Sequence, residues 1–101
     1  MGAAEYEERV VGFDTAQEAF SYITHNARYM YGHGGYSGTI AEKSDFQMIK
    51  VPEGEDPITY ATYLLDSGDR RVNDKWGPAY CVEFDAGKGK KGFYFFGIAS
   101  S

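Results

Sequence analysis

Residues 31–43 read YGHGGYSGTIAEK and set His33, Tyr36, Ser37, Thr39 and Lys43 among four glycines. Hydroxyls, an imidazole and an ammonium are groups that hold a phosphate or a sugar. Consecutive glycines let backbone N–H groups converge into an anion-binding nest. In this reading Gly35, Ser37, Gly38 and Thr39 take a phosphate and Lys43 supplies charge. Tyr29, His33 and Tyr36 then stack on a base or sugar. Tyr22 and His25 extend the same surface along the preceding helix, with Tyr29 one turn beyond His25. The plainer alternative is a tight turn whose glycines take positive φ and whose Tyr36 packs inward. Tyr22 and Tyr29 would then only border the core.

The order of elements narrows the site chemistry. Known phosphate loops run from strand to helix, so that N–H groups and the positive helix end meet the anion. Here the glycines follow a helix C-terminus, which favours cations. Neither G-x-x-x-x-G-K-[ST] nor G-x-G-x-x-G occurs. An enzyme reading would make His33 a general base assisted by Lys43 or Tyr36. No matched nucleophile, carboxylate pair or metal set accompanies them. His25, His33 and Cys81 lack zinc spacing, and the residues call for no cofactor. Cys81 falls in a strand pattern, where cysteine acts as a small hydrophobe. The GKGKKG stretch at 87–92 is basic, but between two strands it reads as a soluble turn.

Composition limits the function classes. A chain of 101 residues makes one domain, 1–101, with a single modest core. Apolar residues make up 43% and aromatics 17%, which excludes disorder. The aromatics are nine tyrosines and seven phenylalanines against one tryptophan, giving a large core or an adhesive surface. Residues 1–67 carry eleven acids and four bases, and residues 68–101 four acids and six bases, so −7 and +2 make the net −5. An acidic chain is a poor general binder of nucleic acid, whose affinity comes from neutralising phosphates. A basic corner at Arg70, Arg71, Lys75, Lys88, Lys90 and Lys91 remains. The single cysteine fits a reducing cytoplasm, and neither a signal peptide nor a membrane span is expected.

The elements that must position these groups are legible in part. Thr15 with Glu18 makes a capping box, with Asp14 as the other candidate cap, and opens a helix over 15–31. Ala16, Phe20, Ile23, Ala27 and Met30 form its apolar stripe, and Gly32 stops it. Asp56-Pro57 starts a second helix that ends at Ser67-Gly68. Strands are expected at 6–11, 37–41 and 46–51, with Glu5, Glu7 and Glu8 guarding an edge against aggregation. Tyr80–Asp85 alternates as a strand, 86–91 turns, and Gly92–Ala99 returns as an apolar run. Such a run is buried on both faces or meets a partner. The order β-α-β-β-α-β-β predicts an α+β two-layer sandwich, about five mostly antiparallel strands with two helices on one face.

At residues 28–43, RYMYGHGGYSGTIAEK, the chain resembles small uncharacterised proteins of tailed bacteriophages and their hosts. In these a helix rich in Tyr, His and Arg runs into a G-H-(two residues)-Y-(one)-G-T-I segment. The resemblance covers 16 residues. It implies a phage-encoded accessory protein of the host cytoplasm, used for host takeover or counter-defence. It singles out His33, Tyr36, Gly38, Thr39 and Lys43. Two functions are expected from these readings. One is a non-catalytic module that holds a phosphate-bearing small molecule in the 31–43 loop, sequestering a host nucleotide signal. The other is a protein-interaction module or inhibitor that meets a host defence protein through its acidic, tyrosine-rich surface. Self-association through the aromatic C-terminal strand is a related possibility.

Overall fold

Local signals set the two helices. A computed structural model describes residues 3–31, 39–70, 72–74 and 76–100. Helix α1 (Ala16–Tyr31) begins where the Glu18 backbone N–H donates to the Thr15 hydroxyl at 3.2 Å, and that hydroxyl donates to the Glu18 carboxylate at 3.1 Å. Thr15 rather than Asp14 is therefore the capping side chain. Helix α2 (Pro57–Asp66) begins where Asp56 accepts from both the backbone N–H and the hydroxyl of Thr59, each at 3.0 Å. Gly32, the expected stop of α1, lies outside the described residues. No described helix is long and apolar enough to cross a membrane.

Among the described residues the sheet has four strands, β1 (Ala3–Val11), β2 (Phe46–Met48), β3 (Ala79–Gly87) and β4 (Lys90–Ser100), in the order β1-β4-β3-β2. Strand β4 is antiparallel to both β1 and β3, while β2 lies parallel to β3. The α+β class and the two helices are as expected, with four strands instead of five. The missing strand is the one expected at 37–41. Its described part instead forms a 3-10 turn, Ile40–Glu42, capped by the Thr39 side chain, which accepts from the Ala41 N–H at 3.2 Å. Ile40 and Ala41 are buried in the core as turn residues.

The helices do not share a face. Alternate residues of the two central strands point to different cores. Ala79, Cys81, Phe93 and Phe95 pack with Phe20, Ile23 and Ala27 of α1, whereas Tyr80, Val82, Tyr94 and Phe96 pack with Ala61, Leu64 and Leu65 of α2. Three layers replace the expected two. The reason is topological. Strands β1, β2 and β3 run in the same direction, so β1-α1-β2 crosses the sheet from edge to edge and β2-α2-β3 returns. Two crossovers of one hand that travel in opposite directions cover opposite faces, and parallel connections keep one hand.

This placement explains the aromatic run. β4 is an inner strand whose Phe93, Phe95 and Phe96 are fully buried by the chain's own two helices. They leave no exposed aromatic face on β4 for self-association. Phe20, Phe46 and Phe95 meet in a cluster with ring centroids 4.9–5.7 Å apart, Phe46 on Phe95 edge-on at 87°. The β3–β4 turn is tighter than expected, with only Lys88 and Gly89 between the strands, at φ 55° and 75°. Positive φ at both positions is the conformation that matches strand twist in a two-residue hairpin.

Candidate functional site

Of the residues singled out in the sequence, His33, Gly35, Tyr36, Ser37 and Gly38 lie outside the described residues, as do Arg71 and Lys75 of the basic corner. The described flanks of the 31–43 segment are engaged by the fold. Thr39 caps the 3-10 turn. Lys43 is 4% exposed, and its Nζ donates to the Gly77 carbonyl at 2.7 Å. That bond fastens the segment to the loop ahead of β3. Arg28, at the end of α1, adds two more ties: Nε donates to the Ala41 carbonyl at 3.1 Å and Nη2 to the Lys43 carbonyl at 3.0 Å. A guanidinium presents two parallel donors, which suits it to gather the carbonyls of a tight turn.

The tyrosine face of α1 is real. Tyr29 is 85% and Tyr22 52% exposed, and His25 is also on the surface. Met30 departs from expectation. It belongs to the apolar stripe by spacing, yet it is 71% exposed. The stripe is covered as far as Ala27, and Met30 overhangs an open groove between α1 and β1 instead of a packed layer. Burial of Ala19, Phe20, Ile23 and Ala27 against the sheet holds α1 in place, and its flank carries Tyr22, Asn26 and Met30 at four-residue spacing.

That groove has a volume of about 610 Å³ and is walled by Tyr22, Asn26 and Met30 on one side, with Glu8, Val10 and Phe13 on the other. The Phe13 ring braces Tyr22, with centroids 5.2 Å apart. The groove opens beside β1, an outer strand of the sheet. Glu5, Glu7, Glu8 and Arg9 are all exposed along it. Partial burial raises the carboxyl pKa of Glu8 above its ordinary value, although the residue stays solvent-accessible. On the opposite face Arg9 lies over the Phe84 ring, 5.7 Å from its centroid, a cation–π placement. Burial first, and then Glu7 nearby, push the Tyr94 hydroxyl up to about 12.

Other chemistry is sparse. Cys81 is fully buried and its thiol is pushed up to about 12, mainly by burial, so it has no accessible thiolate. Among the described residues no three His, Cys, Asp or Glu side chains cluster as metal ligands. Sequence reasoning missed Arg28, whose sole signal was a basic residue in the last turn of a helix. It also missed the Asn26/Met30 flank, which becomes visible only once α1 is seated on its sheet. The chain matches no family model, no curated protein and no solved structure.

Proposed function

We infer that the chain is a small non-catalytic protein-interaction module that docks a host protein through the α1–β1 face. The observation that carries this reading is an open groove, rimmed by exposed Tyr22 and Met30, beside an outer strand bearing three exposed glutamates. Tyrosine gives contact area with few rotors, and methionine adapts its shape to a partner. The resemblance of residues 28–43 to phage accessory proteins supports a bacterial host as the partner's source. The competing reading, a phosphate-bearing small molecule in the 31–43 loop, draws on Tyr29, His33, Gly35, Tyr36, Ser37, Gly38, Thr39 and Lys43, and of these Thr39 and Lys43 already bond to backbone groups.

The test compares capture from bacterial lysate by the native chain, by Tyr22→Ser/Met30→Ser and by Tyr63→Ser, which alters an exposed tyrosine on α2. Capture should be lost with the first variant and kept with the second. Equal capture by all three, together with a rise in Tm at millimolar nucleotide, would overturn this reading in favour of the ligand loop.

A further inference from the structure

We propose that β1 accepts an extended segment of the partner as an added strand, and that the segment alternates apolar and basic residues. The inference rests on the reading of the α1–β1 face as the interaction surface and specifies how that surface works.

β1 pairs along its whole length with β4, from Ala3 opposite Ser100 to Val11 opposite Gly92. Its other side ends the sheet, and among the described residues no strand pairs there. A strand's peptide groups point alternately to its two sides, so that side presents a row of donors and acceptors at regular spacing. Such an edge is a template for another chain. Nine residues give it a length of about 30 Å. The opposite edge of the sheet, β2, has three residues and is a far shorter template.

Chemistry decides the occupant. An added strand would lie about 4.8 Å from β1, with its side chains pointing alternately to the two faces. On the α1 face they enter the groove against Val10, Tyr22 and Met30, where apolar groups are favoured. On the other face they lie beside Glu5 and Glu7, which share it with Arg9. Glu8 stands at the groove's own rim. Arg9 is drawn onto Phe84, so the outer row is dominated by carboxylates. A second copy of this chain would bring its own three glutamates to the same edge, a like-charge approach that disfavours a ladder. A basic strand neutralises them. The glutamates that keep β1 from pairing with itself thus select the partner.

The probe is a capped peptide of alternating lysine and valine, long enough to span β1, with binding read by fluorescence anisotropy. Two further peptides are N-methylated, one at every lysine amide and the other at every valine amide. Alternate amides of a strand face opposite edges, so only one set can donate to β1. One methylated peptide should bind at least about tenfold more weakly than the parent, and the other should bind as the parent does. Replacing valine by serine, or the chain's Glu5, Glu7 and Glu8 by glutamine, should also weaken binding. Equal binding of the two methylated peptides, or dimerisation of the chain that excludes the parent peptide, would overturn strand addition. If the peptide fails while Tyr22- and Met30-dependent capture persists, strand addition falls and the interaction reading stands. If both fail, the interaction reading falls as well.

Discussion

Arg28→Met isolates the device that ties the 39–43 segment to α1. Methionine keeps an apolar stem of similar reach, so the change removes the guanidinium and little packing. Two hydrogen bonds are lost, to the carbonyls of Ala41 and Lys43 at 3.1 and 3.0 Å. Hydrogen bonds from a charged donor contribute about 1.5–3 kcal/mol each. Both are partly buried, which places them at the lower end, so the loss should be about 3 kcal/mol. In a domain whose whole stability is about 5–15 kcal/mol, that is a large share. At about 4–8 °C per kcal/mol for a chain of this size, Tm should fall by roughly 12–24 °C. Arg28→Lys can reach one carbonyl and should lose about half as much. Urea unfolding with a common m-value measures the difference, and faster amide exchange at Ile40–Lys43 localises it. A loss below about 0.5 kcal/mol for Arg28→Met would refute the assignment. Peptide binding at the groove should be unchanged in a folded variant, because Arg28 leaves α1 on the flank away from Tyr22 and Asn26.

Three other perturbations test the frame. Lys88 is held at φ 55°, so Lys88→Asn should stabilise the hairpin by about 0.5–1 kcal/mol, and an unchanged urea midpoint would contradict the turn geometry. At Gly92 a methyl group would run into the Phe84 ring, so Gly92→Ala should cost about 1–3 kcal/mol, and adding Phe84→Ala should recover part of it. Tyr94 and Cys81 are neutral when protonated, and their folded values are raised to about 12 from 10.0 and 9.0. The folded chain therefore holds protons that the unfolded chain has already released. Stability from these groups is full below pH 9 and falls as pH climbs toward 12. Tyr94→Phe should flatten the decline measured by urea unfolding, and an unchanged slope would show that Tyr94 does not contribute.

Much of the fold was legible because its signals are local. The Thr15–Glu18 box, the Asp56-Pro57 start and the period-two pattern of β3 each depend on residues a few positions apart. The apolar run of β4 was legible as a strand but open as to what covers it. The cover is the chain's own two helices, one on each face, and the topology that puts them there is absent from any local pattern. Ile40 and Ala41 resemble strand residues by type. They form a turn because Thr39, Arg28 and the core compete for their backbone and side chains. Met30 has helical spacing but no layer beneath it. The candidate surface was legible only as a list of tyrosines and glutamates. Their common location around one groove depends on β1 being an outer strand, which pairing with β4 decides.

The proposed docking site for a partner is the α1–β1 face with the outer edge of β1. Amide hydrogen exchange on the uniformly labelled chain, with and without saturating lysine–valine peptide, measures it directly. New protection is expected at alternate amides of Ala3–Val11, with chemical-shift changes at Tyr22, Asn26 and Met30. Unchanged exchange along β1, with the shifts confined to residues 31–43, would contradict it.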